Sequence, residues 1–224
     1  GISFRDVCKG THGMEDFIAQ LTPEELNALC KGEGQMDSPL GTKGNAGMLG
    51  GTTRSLRDKG VPTLTTTDGP SGIRVCHYTA LLPCGTALAS SWDVKAVEEL
   101  GHLFGQEMVR KGSDILLGPG LNIHRDPLCG RNFEYYSEDP LLSGTVAAAM
   151  VRGIQSVPGR SACVKHFACN NQEENQNRND SRLSQRALRE IYLRGFEICL
   201  RDAAPLCLMT SYNQINGIWG HYQY

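Results

Sequence analysis

Apolar residues recur every three to four positions in four stretches of the chain and gather into short runs in four others, and the two patterns alternate. Met14 to Lys31 carries the first helical pattern, with Phe17, Leu21, Leu26 and Leu29, interrupted where Thr22-Pro23 restarts the helix with a cap and a first-turn proline. From Asp93, the residues Val97, Leu100, Phe104 and Met108 keep a 3-4-4 spacing up to Lys111-Gly112. A third helix opens at Asp139-Pro140 and runs through Val146, Ala147 and Met150 to Gly153. A fourth, capped by Ser184, is predicted to turn Leu188, Ile191, Ile198 and Cys199 inward. Val61–Thr67, Asp114–Leu117, Ala162–Phe167 and Pro205–Met209 read as strands. Residues 32–51, with seven glycines, read as a long mobile loop.

Strand and helix in alternation predict a parallel sheet, either closing toward a (β/α)8 TIM-like barrel that stops before its last strands or doubly wound. The residues at the strand ends favour the barrel. Asp68 ends the first, the stretch from Gly118 to Pro140 ends the second, Lys165-His166 ends the third, and Thr210 to Asn213, with Tyr212, ends the fourth. Polar groups converging from separate strand ends are how a (β/α) barrel builds its site. The stretch 118–140 mixes Arg125, Asp126, Arg131, Glu134, Glu138 and Asp139 with Phe133, Tyr135 and Tyr136. So many charges do not fit a packed core, and the stretch is expected to line water or a ligand. Within it Glu134, Glu138 and Asp139 are assigned to structure, as ion-pair partners of Arg131 or Lys165 and as a helix cap.

Composition narrows the partners. At 224 residues the chain suits one large domain, divided into a helical lead-in (1–31), the glycine-rich loop (32–54) and the barrel motifs (55–224). A net charge of -2 implies no nucleic-acid partner, and no apolar run is long enough to span a bilayer. With no secretory leader after Gly1, the expectation is a cytoplasmic protein, provided that Gly1 is the native start. The nine cysteines are irregularly spaced without a CxxC pair, so neither a metal nor a redox motif is expected, and Cys163, Cys199 and Cys207 read as small core residues. The glycine-rich passage contains neither GxxxxGK[ST] nor a strand-GxGxxG-helix unit, which argues against a nucleotide, and no cofactor is expected.

Five segments carry a family likeness: TTDGPSGIR (66–74), GPGLNIHRDPLCGRNFEYYSEDPLLSG (118–144), VKHFACNNQE (164–173), RALREIYLRGFE (186–197) and MTSYNQING (209–217). In that order they resemble the N-terminal barrel domain of glycoside hydrolase family 3, of the β-glucosidase type. The resemblance implies a retaining, exo-acting enzyme that removes terminal β-D-glucosyl units from glycosides or small oligosaccharides, with a β-xylosidase or a non-catalytic sugar-binding half-barrel as alternatives. It implies that Asp68 accepts hydrogen bonds from hydroxyls at the far side of the sugar. Arg131, Lys165 and His166 would then donate to ring hydroxyls, and Met209 and Tyr212 would form the wall near the reacting carbon. Two departures matter. Ala168-Cys169-Asn170-Asn171 replaces the proline-glycine-histidine run of the family's N-acetylglucosaminidase branch. The family's nucleophile, an aspartate in a Ser/Thr-Asp-Trp motif expected after Asn216-Gly217, is not in the chain, nor is the second, sandwich-like α/β domain that usually brings the acid/base. No catalytic residue is therefore assigned, and the chain is expected to associate with its missing part or with itself.

Overall fold

The computed structural model describes residues 1–223. The chain opens with helices α1 (Phe4–Cys8), α2 (Met14–Ala19) and α3 (Pro23–Lys31), followed by strand β1 (Gly47–Gly50), helix α4 (Arg54–Asp58) and strand β2 (Thr63–Thr67). Helices α5 (Gly85–Ser90) and α6 (Val94–Lys111) lead to β3 (Ile115–Leu116), and α7 (Pro140–Gln155) leads to β4 (Ser161–Phe167). After β5 (Asp180–Ser181) come α8 (Gln185–Ala187), α9 (Arg194–Ala203), β6 (Cys207–Thr210), β7 (Gln214–Ile215) and β8 (Ile218–Trp219).

The main sheet has the order β1-β2-β3-β4-β6, and β2, β3, β4 and β6 are parallel. Chain order and sheet order coincide, and α7 packs between α6 and α9. A doubly wound sheet reverses its strand order and puts helices on both faces. Here the strand order does not reverse and α6, α7 and α9 pack as neighbours in chain order, so the domain is a curled half-barrel, the truncated (β/α) barrel that the strand ends predicted. Its core joins Val97, Phe104 and Met108 of α6, Val146, Ala147 and Met150 of α7, Phe196 and Cys199 of α9, and Ala162 and Val164 of β4. Glycines let the helix backbones touch: a Cβ on Gly153 would lie 2.2 Å from the Glu98 carbonyl, and one on Gly101 would lie 2.7 Å from that of Met150.

The caps lie where the sequence puts them. Asp93 accepts from the Ala96 N–H (3.0 Å), Asp139 accepts from that of Leu141 (2.7 Å), and Gly112 closes α6 at φ 70°. Four expectations need correction. The glycine-rich passage is not a free loop, because β1 lies within it and runs antiparallel to β2. Buried Asn45 pins the approach by donating to the Ser38 (2.8 Å) and Thr42 (2.7 Å) carbonyls. A Cβ on Gly50 would meet the Pro62 carbonyl at 2.4 Å, so that glycine serves close approach rather than mobility. Ile191 is exposed, because a π-turn over Leu188–Tyr192 shifts the helical phase that would have carried it inward. Leu26 is also exposed, since the restart at Pro23 breaks the phase it would share with buried Phe17 and Leu21. Finally, Cys163 and Cys199 are buried, as expected of core thiols, but Cys207 is only half-buried and meets the sulfur of Cys163.

Candidate active site

Each strand end delivers its polar groups by a local device. After β2 the segment DGPSGIR folds back on itself, so that Asp68 and Arg74 form an antiparallel bridge (Arg74 N to Asp68 O, 2.9 Å) and their side chains pair. Gly69 at φ 111° is required there, since a Cβ would sit 1.7 Å from the Gly72 carbonyl. After β3 the chain runs through a cis Gly118-Pro119 bond to a 3-10 turn at Asn132–Glu134, which presents Arg131 and Glu134 on one side. β4 brings Lys165 and His166, and β6 with the residues just after it brings Met209 and Tyr212.

All six residues singled out in the sequence, Asp68, Arg131, Lys165, His166, Met209 and Tyr212, line one open cavity of about 900 Å³ at these strand ends. Arg74 and Glu134 line it too. Arg74 was missed, although its six-residue spacing from Asp68 across a Gly-Pro-Ser-Gly turn is the signal that could have found it. The expectation for stretch 118–140 holds only in part. Tyr135, Tyr136 and Glu134 are buried, and Phe133 stands exposed at the cavity's side.

Glu134 is the electrostatic centre. Its carboxylate, 4% exposed, bonds the Arg131 guanidinium with one oxygen and meets Lys165 Nζ at 3.4 Å with the other. Burial depresses the Lys165 pKa below the usual lysine range, and Glu134 opposes that shift. Glu134 and Asp139 thus have the ion-pair and capping roles assigned to them, whereas Glu138 is exposed and pairs with neither cation.

His166 is set by a hydrogen-bond chain. Asn170 Nδ2 donates to the Tyr135 hydroxyl (2.9 Å) and also contacts Glu173 Oε1 (3.2 Å), which fixes that amide's orientation. The Tyr135 hydroxyl also lies 3.0 Å from His166 Nδ1, to which it can donate while it accepts from Asn170. Burial, helped by Arg131 and Lys165, pushes the His166 pKa down to about 2, so the ring is neutral, and a Tyr135 hydroxyl that donates to Nδ1 puts its one proton on Nε2. A neutral imidazole therefore lines the cavity. Tyr135→Phe is expected to leave His166 in a mixture of tautomers, read from the ring nitrogen shifts in ¹H–¹⁵N spectra. A wild-type His166 protonated on Nδ1 would refute the chain of donors. Because the unfolded chain protonates this imidazole near 6.5 and the folded chain does not, it costs stability as the pH falls below that value.

No helix among the described residues is long and apolar enough to cross a membrane, and no cluster of His, Cys, Asp or Glu among them suits a metal. Residues 24–221 match the model of the glycosyl hydrolase family 3 N-terminal domain. The chain is 48% identical to a β-glucosidase of Ruminococcus albus, covering 98% of itself and 23% of that relative. It is 46% identical to β-glucosidase A of Butyrivibrio fibrisolvens, with 94% and 24% covered. Among solved structures, a β-glucosidase of Paenibacillus barengoltzii superposes over the whole chain and 24% of its own, with TM-score 0.94 and 50% identity. β-Glucosidase 3B of Thermotoga neapolitana, in complex with glucose, has TM-score 0.85 and 42% identity, over 92% of this chain and 30% of its own. The chain thus spans about a quarter of the length of the curated relatives it matches. On this match, and with its half-barrel and cavity of strand-end residues, the chain belongs to glycosyl hydrolase family 3, as the N-terminal domain.

Proposed function

We propose that this domain supplies the sugar-binding half of a retaining, exo-acting β-glucosidase that releases terminal non-reducing β-D-glucosyl residues from glycosides or small oligosaccharides. The observation that carries the reading is the convergence of Asp68, Arg131, Lys165 and His166, from three strand ends, on one cavity. Every sugar hydroxyl both donates and accepts. A carboxylate set among a guanidinium, an ammonium and an imidazole N–H can therefore read the orientation of several hydroxyls at once. Met209 and half-exposed Tyr212 supply an apolar wall for the face of the ring. The relatives' names agree with this substrate class.

Asp68 is the group to test. Its pairing with Arg74 holds the carboxylate at the cavity rather than in bulk solvent, and the pair offers acceptor and donor side by side. Asp68→Ala is expected to weaken glucose binding, or to lower kcat/KM in the full-length enzyme, by about 1.5–3 kcal/mol, the worth of hydrogen bonds to a charged group. Aryl β-glucosides should be preferred to aryl β-xylosides, because a site that bonds the glucose hydroxymethyl leaves polar groups unpaired when that group is missing. Unchanged kinetics in a folded Asp68→Ala protein would remove Asp68 from the sugar site, and a clear xyloside preference would replace the substrate.

A further inference from the structure

Beneath the cavity, β4 and β6 run side by side with Cys163 directly opposite Cys207. The two sulfurs are in contact, 2.6 Å apart. Neighbouring strands are spaced at about 4.8 Å, inside the window of about 4.4–6.8 Å between Cα atoms that a disulfide accepts. None of the nine cysteines is bonded in a disulfide, and this pair alone has two sulfurs in mutual contact among the described residues. The two members differ in access, for Cys163 is 1% exposed while Cys207 is half-buried on the last strand of the sheet.

We propose that Cys163 and Cys207 form a peroxide-reactive dithiol that closes into a cross-strand disulfide under the cavity floor. The roles follow from access: peroxide reaches half-buried Cys207 first, and buried Cys163, in contact with it, is placed to resolve the product. The Cys207 thiolate attacks hydrogen peroxide, forming an S–O bond as the O–O bond breaks, and the departing hydroxide takes a proton and leaves as water. The Cys163 sulfur then attacks the sulfenic sulfur of Cys207. The S–S bond forms, the S–O bond breaks, and the Cys163 proton leaves with the hydroxide as a second water. Two thiols and one peroxide thus give one disulfide and two waters.

Side chains alternate along a strand, so Cys163 shares a face with Lys165 and Cys207 shares one with Met209. The bridge would tie together two walls of the cavity, two residues below the groups that line it. Formation of the bond stands on the strand register alone; only an effect on glucose affinity rests on the proposed function.

The chain is treated with hydrogen peroxide, unfolded, alkylated and digested with trypsin. The expected product is a linked pair of peptides, residues 161–165 with residues 202–224, in most molecules, which dithiothreitol separates. In Cys163→Ser, Cys207 is expected to stop at the sulfenic acid and to be captured by dimedone. The proposal fails if exposed Cys8, Cys30 and Cys76 are oxidised while Cys163 and Cys207 are recovered separately alkylated, or if Cys207 is linked mainly to some other cysteine. A linked pair that leaves glucose binding unchanged keeps the modification site and denies it influence over the cavity. A linked pair in a protein that binds no glucose at all keeps the disulfide and counts against the proposed function instead.

Discussion

Glu134→Gln is expected to destabilise the domain by about 3–5 kcal/mol, the usual cost of stripping one partner from a buried ion pair. The substitution keeps the size and shape of the side chain and removes its charge, which leaves the Arg131 guanidinium and the Lys165 ammonium facing each other. Lys165 is 4% exposed, so water cannot take over the lost interaction there. Arg131 retains more access to solvent and contributes the smaller part of the loss. Urea unfolding checks this through a fall in the midpoint at constant slope. Adding Lys165→Met should recover part of the loss, because one of the two orphaned cations is then gone and its stem is replaced by an apolar group of similar length. A loss below about 1 kcal/mol for Glu134→Gln would mean that solvent screens the triad as it screens a surface pair.

This triad shows what a sequence reading reaches and where it stops. Arg131, Glu134 and Lys165 were legible as charged residues at strand ends, and a carboxylate between two cations is the only economical way to bury any of them. That Glu134 serves both cations was not legible, since Lys165 lies on another strand, 31 positions away. The long helices were legible because caps and apolar period agree, as at Asp93 and Gly112 of α6. β1 was hidden because a glycine-rich segment has little side-chain period, and its pairing with β2 rests on backbone groups and on one hydroxyl, that of Thr66, which donates to the Gly47 carbonyl (2.9 Å). Ile191 was misplaced because it lies inside a π-turn, which breaks the regular helical phase locally, and no residue type announces such a turn. The Cys163–Cys207 contact follows only from the register of two strands 44 residues apart, which no local pattern specifies.

Purified by itself, the 224-residue chain is expected to turn over no aryl β-glucoside. Retaining hydrolysis takes two carboxyl groups about 5–5.5 Å apart, one to attack the anomeric carbon and one to protonate the leaving oxygen. The carboxylates that line the cavity among the described residues are Asp68 and Glu134, and both are engaged. Asp68 is bound by Arg74, and Glu134 is clamped between Arg131 and Lys165, where any bond to an anomeric carbon would leave two buried cations uncompensated. β6 also ends the sheet among the described residues, with Leu206 75% and Leu208 40% exposed beside it. Such an edge seeks a further strand, so the lone chain is expected to associate until it finds one. The measurement is a turnover assay on the purified chain, repeated after adding the remaining part of the Ruminococcus albus relative as a separate polypeptide. Activity should appear only in the mixture, together with a stoichiometric complex. Steady turnover by the lone chain, surviving a control for host enzymes and abolished by Glu134→Gln or Glu138→Gln in a folded protein, would instead make the altered carboxylate catalytic and the half-barrel an enzyme in its own right.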